Sequence, residues 1–409
     1  MKKFLAILVA LAVATTGFAQ AKLTLMQGKP EIDAAFKAYA AVWSKANNAT
    51  LTIKTLGGTS NAMGPQLKAD FAAGSMPDIF TIEGPEAYAE WAAVIADLSD
   101  QPWVKNTSVA FKSGGKVYGA PVAVEGWGMA YNADMLKTAG IDPKTLTNYA
   151  AYKAAFAKLD GMKAKLGVNS VVSMAAAIDM GWVVAHHNFN SYLSNGLAYD
   201  DKSVAKDLVA GKVNAKRLAE YADWVELLFQ YADKAVLTTG NYDAQVNAFA
   251  TGKAVFLHQG NWTDPNIKAA NATFKMAFAP HGSMSTATDG IFVAAPSYYA
   301  VNKDSKNAAL AKKFLNDMIT TTEGQKFMVQ DAGMIPAYSN VKLSPTGQLS
   351  ASVQSWAASG KIYAWNQGLT TGDFRDKSLA PIYNQFANGA INKAKFIELF
   401  TTAVANYGK

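Results

Sequence analysis

Phe249-Ala250-Thr251-Gly252-Lys253-Ala254-Val255-Phe256-Leu257-His258-Gln259-Gly260-Asn261-Trp262 carries the main clue to the fold. A helix ends at its start, Gly252 turns the chain, an unbroken apolar strand follows, and Gly260 opens the next helix. The strand's carboxyl end delivers Asn261 and Trp262 to a crevice, where open α/β sheets bind ligands. Tryptophan is seldom fully buried, and an indole after a glycine among polar neighbours suits a stacking platform.

Working outward, the same alternation recurs. Leu23–Met26 reads as a strand, and Ile32, Phe36, Tyr39 and Trp43 mark one helical face. Leu51, Ile53 and Thr55 alternate as a strand. Pro65 starts a helix with Met63, Leu67 and Phe71 on one side, and Gly74 stops it. Asp78–Thr81 is a buried strand, and Pro85 opens a helix carrying Tyr88, Trp91, Ile95 and Leu98. This order predicts a mostly parallel sheet covered on both faces. After Tyr131 come helices near 132–139 and 147–159, a strand at Val171–Met174, a long helix over 214–232 and a largely helical tail from Leu343.

At the N-terminus, Lys2 and Lys3 precede an apolar run from Phe4 to Ala14. Gly17-Phe18-Ala19 or Ala19-Gln20-Ala21 then offers small residues for cleavage. That is the pattern of a secretory signal peptide over 1–21, too short to span a membrane. The remainder of the 409 residues is enough for two or three domains of roughly 100–200 residues each. Cysteine is absent, which excludes disulfides, thiolate metal sites and a lipidated cysteine. The expectation is a soluble periplasmic or extracellular protein. The formal charge of +7 is spread along the chain, and the only arginines are Arg217 and Arg375, a poor basis for binding nucleic acid. Neither a G-x-S-x-G elbow nor a P-loop is present, and His258 and His281 are far apart in sequence. Adjacent His186 and His187 point to different sides of a helix. No cofactor or metal is expected.

The segment around Trp262 resembles the signature of the family-1 extracellular solute-binding proteins, the clan of maltose-binding protein. Met76-Pro77-Asp78-Ile79-Phe80 is similar to a family strand, and Tyr118–Glu125 followed by Tyr131–Leu136 resembles its first interdomain crossing. Asn307–Leu315, Thr322–Gln325 and Gly333–Ala337 look like its late helix and third crossing. The matches keep the family's order over most of residues 22–340; residues 160–205 and the tail match poorly. The resemblance implies two discontinuous α/β lobes hinged around a ligand cleft, with 22–123 and 282–335 in one and 124–281 and 336–409 in the other. Crossings fall near Pro121–Val124, Ala277–His281 and Ile335–Pro336. It also implies delivery of a sugar to the membrane permease subunits of an ABC importer, by a monomer.

A pyranose offers an apolar C–H face to aromatic rings and a rim of hydroxyls to carboxylates and amides. Candidate platforms are Trp127, Trp182, Trp262 and Trp365; for all but Trp262, core and ligand readings stay open. Candidate rim-binders are Glu83, Glu125 and Asp373, with Asn261 beside Trp262. Glu125 resembles in position a sugar-binding glutamate of maltose-binding protein; a solvated acid is the other reading. Gly58 and Thr59 follow the second strand, where glycine permits close backbone approach. A secreted carbohydrate-active enzyme, whose paired carboxylates can lie far apart in sequence, remains an alternative. So does another solute, such as a polyol, a sugar phosphate or a polyamine, though scarce arginine argues against phosphate.

Overall fold

The computed structural model describes residues 20–56 and 63–408. Most of the signal-peptide assignment, and Gly58 and Thr59, lie outside the described residues. Among the described residues twelve strands form two sheets: β1 Ala21–Gln27, β2 Ala49–Thr55, β3 Ile79–Glu83, β4 Phe111–Ser113, β5 Lys116–Pro121, β6 Glu125–Asn132, β7 Ser170–Ser173, β8 Ala254–Gly260, β9 Met276–Ala279, β10 Ile291–Ala294, β11 Ser297–Val301 and β12 Ile362–Tyr363. The first sheet runs β2-β1-β3-β11-β5-β4 and the second β12-β10-β6-β8-β7, with β9 also on β6. Each is wrapped by helices, giving two mixed α/β lobes.

In the first lobe the apolar stripe Phe36, Tyr39, Ala40 and Trp43 of the helix Asp33–Ala46 is buried. Its rings stack on Phe327, with centroids 4.8 Å from Phe36 and 4.9 Å from Tyr39. In the second lobe every residue of β8 is buried. It lies between β6 and β7, with helices over both faces, so its apolar succession has somewhere to go on either side.

Parallel order holds only in part. β1 pairs parallel with β2 and β3, as the alternation predicts. β11, however, is antiparallel to both β3 and β5, and β6 is antiparallel to β8, β9 and β10. These are strands that enter a sheet straight after a passage from the other lobe, so no crossover helix sets their direction.

Three passages join the lobes. The first, between β5 and β6, lies beside the third, where the Val124 N–H donates to the Ile335 carbonyl at 2.9 Å. The second is at Ala295–Pro296, between β10 and β11, not at 277–281. Residues 291–294 pair with Glu125–Trp127 and so belong to the second sheet rather than the first. Ile335 packs with second-lobe residues, whereas Tyr338 and Val341 pack in the first lobe's core and Tyr338 donates to the Pro121 carbonyl, so the third passage touches both lobes over Ile335–Val341. Among the described residues no helix is long and apolar enough to cross a membrane.

Candidate functional site

A cavity of about 510 Å³ lies between the lobes. The first lobe contributes the segments just past the carboxyl ends of β1 and β3, Gly28–Glu31 and Glu83–Pro85, with Ser297 and Tyr298. The second contributes Glu125, Trp182, His186, His187, Tyr242, Trp262, Ala364–Leu369 and Arg375. Strand carboxyl ends thus converge on the cavity, as open α/β sheets arrange them.

The indole of Trp262 lies over Gly260, where a Cβ would meet the ring at 2.0 Å; any side chain there would push the indole away. Its Nε1 donates to Gln259 Oε1 at 3.1 Å. Trp182, Trp262 and Trp365 surround His187, with ring centroids at 5.4, 4.9 and 5.4 Å. Burial, followed by the neighbouring His186 and His258, holds the His187 imidazole well below its ordinary pKa. It is therefore a neutral part of an aromatic wall. Two wide π-helical turns, Val183–Asn188 and Phe374–Leu379, pack together through His186 Nε2 and Asp376 Oδ1 at 2.7 Å. They present His187 and Arg375 to the cavity. π turns of this kind recur at functional sites.

On the same lining, Lys29 from the first lobe forms ion pairs with Glu125 of the second and, at 3.5 Å, with Glu31. Burial disfavours the ammonium charge, but the two carboxylates outweigh it and raise the Lys29 pKa. Burial pushes the Glu31 carboxyl up, against the pull of Lys29. Glu83 is exposed at the end of β3, with its Oε1 3.4 Å from the Ser297 hydroxyl. Trp365 Nε1, Gln367 Oε1 and Arg375 Nε are buried on this lining without a partner among the described residues. Buried polar atoms in that condition call for a further partner.

Five of the sequence candidates therefore line the cavity: Trp262, Glu125, Glu83, Trp182 and Trp365. Three do not. Trp127 is wholly buried in central strand β6, stacked on Phe292 at 4.2 Å and flanked by His258 and His281. Asn261 turns inward, accepting from the Gly126 N–H at 2.9 Å and donating to the Ser350 hydroxyl at 3.1 Å. Asp373 is a solvated acid paired with Lys377 one helical turn on, at 2.7 Å. Lys29, Glu31, His187, Tyr242 and Arg375 were not among the candidates. Lys29 and Glu31 follow a strand end, the signal that exposed Glu83. His187 lay in the aromatic-rich stretch begun by Trp182. Among the described residues no group of His, Asp and Glu is placed to hold a metal ion.

The geometry meets its relatives here. The chain is 26% identical over 338 residues to the maltooligosaccharide ABC transporter solute-binding lipoprotein of Streptococcus pneumoniae, covering 78% of this chain and 73% of that one. Its fold resembles that of a sugar transporter of Bacillus licheniformis solved with stachyose, at 18% identity and a TM-score of 0.74 over 93% of this chain and 98% of that one. It also resembles a chitin oligosaccharide binding protein, at 19% identity and a TM-score of 0.77 over 94% and 98%. The model of the bacterial extracellular solute-binding family matches residues 33–358, well over half the length, and spans β2 to β11 with Trp182 and Trp262. Two lobes, three passages and a cavity at the strand ends are thus the working parts of a bacterial extracellular solute-binding protein, the family to which this chain belongs.

Proposed function

We propose that the chain captures a neutral mono- or oligosaccharide between its lobes, without turnover, and delivers it to the membrane permease subunits of an ABC importer. The observation that carries this reading is the wall of Trp182, Trp262 and Trp365 lining one cavity together with carboxylates. The indoles supply stacking faces, and Glu83, Glu125 and the unpartnered Trp365 N–H supply rim contacts. Charges on the lining balance, with Lys29, Lys202 and Arg375 against Glu31, Glu83 and Glu125, which suits an uncharged solute. Sugar-binding relatives support the same class. Export after removal of residues 1–21 and action as a monomer belong to this reading, as does a first lobe starting at Lys22.

Thermal shift against maltotriose, melibiose, raffinose, stachyose and chitobiose tests it, because a ligand that binds the native state raises its melting temperature. A rise with one of these sugars, and no product after prolonged incubation, is the expected result. Time-dependent product at stoichiometric protein would make it a carbohydrate-active enzyme instead. A response only to polyols or polyamines would move it to another solute class. For delivery, the liganded protein should stimulate the ATPase of its reconstituted transporter above the unliganded level.

Trp262→Ala should weaken sugar binding by about 2–4 kcal/mol, the range of a central aromatic hot spot. The unliganded melting temperature should hardly move, since the indole faces the cavity. Trp127→Ala should do the reverse and cost about 3–5 kcal/mol of stability as a core truncation. Calorimetric titration and apo melting of both variants read the difference; unchanged affinity in Trp262→Ala would remove the wall from the site.

A further inference from the structure

On the cavity lining, Gly84 of one lobe and Gly368 of the other approach main chain to main chain. Gly84 opens the first-lobe helix Gly84–Trp91, and Gly368 lies in the second-lobe turn Asn366–Leu369. A Cβ on Gly84 would stand 2.9 Å from the Gly368 carbonyl oxygen and 3.1 Å from its Cα. A Cβ on Gly368 would face Gly84 Cα at 3.6 Å and Pro85 Cδ at 4.0 Å. Gly84 also holds a φ of 74°, which glycine adopts freely. The two backbones therefore touch because neither residue carries a side chain.

We propose that Gly84 and Gly368 form the closure stop of the cleft: a side-chain-free contact that sets how far the lobes approach, and so tunes affinity without recognising the solute. The proposal rests on the reading of the cavity as a solute site that closes. Apparent affinity is the intrinsic affinity scaled by the fraction of molecules in the binding-competent state. Anything that holds the rim apart lowers that fraction. Glycine at both positions allows the tightest approach that two peptide backbones permit.

Gly368→Ala, Gly368→Val and Gly368→Leu form a graded wedge at a position with no backbone strain of its own. Gly368→Ala, whose Cβ would stand at ordinary contact distance, should bind close to wild type, and affinity for whichever tested saccharide binds wild type should fall by about tenfold or more at valine and further at leucine. Gly84→Asn wedges from the opposite lobe, with a residue that tolerates positive φ. Gly372→Val, on the same segment but with open space around its Cβ, should bind as wild type does. Melting temperatures of the unliganded Gly368 variants should match wild type, which separates a wedge from a folding defect.

A ligand-independent readout accompanies the titrations. The chain has no cysteine, so spin labels at Lys68→Cys and Lys377→Cys, exposed on the two lobes, have no background. The label distance should lengthen in Gly368→Val. Equal affinity across the graded series, or identical distance distributions in wild type and Gly368→Val, would overturn the proposal. If none of the saccharides binds wild type, the functional reading fails, and the label distances alone decide whether this contact limits closure.

Discussion

Lys29→Met should cost the unliganded protein about 3–5 kcal/mol, the usual penalty for breaking a buried ion pair by removing one partner. Lys29 sits between Glu125 and Glu31, with all three side chains mostly buried. Without the ammonium, two carboxylates face each other across the lobes with no cation between them. Their repulsion opposes closure, and Glu31, already pushed up by burial, takes up a proton more readily. Urea unfolding of the variant measures the loss. Lys29→Met combined with Glu125→Leu should recover a large part of it, because the stranded charge goes too. A single-variant loss under about 1 kcal/mol would make Lys29 an ordinary solvated lysine.

Acidification should produce an effect of similar size. His258 is fully buried, and burial pushes its imidazole down to about 4. In an unfolded chain it titrates near 6.5. The unfolded state thus binds the proton first, so the contribution is whole above the unfolded value and is lost as pH falls from about 6.5 through 4. His258 alone should account for about 3 kcal/mol by pH 4. His187 and His281, held well below their ordinary values mainly by burial, steepen the fall. Glu31, with a raised pKa, acts in the opposite sense and softens it. Melting temperature should drop steadily from pH 7 to pH 4, and His258→Leu should flatten part of the slope. A flat wild-type profile would mean that the three imidazoles are already charged or solvated at neutral pH.

The sequence was most informative where chain order and periodicity carry the information. β8 was readable because its apolar succession needs cover on both faces, and its end pointed to Trp262 at the cavity. Trp127 stayed open between core and ligand, since it too stands beside glycines but without a strand end to place it. What buries Trp127 is the pairing of β6 with both β8 and β10, strands far along the chain. The second passage was misplaced for a related reason: Pro280 and Pro296 look alike in sequence, and only the pairing of β10 with β6 tells them apart. Charges were the weakest signal. Nothing in the sequence marked Lys29 or Glu31, and only the approach of the lobes brings Glu125 against Lys29. Arg375, one of only two arginines, proves to line the cavity beside Glu83.

The place of β11 bears on how the chain is made. It supplies the middle of the first sheet, between β3 and β5, yet lies beyond the whole second sheet except β12. Until it emerges from the ribosome, β3 and β5 have no central partner, and the N-terminal lobe is two fragments with open edges. Folding that waits on so distant a contact is slow, because loop-closure entropy must be met before the contact forms. A nascent chain of this topology cannot complete its first sheet until most of its length has been made, so its N-terminal lobe is the later of the two to gain its central strand.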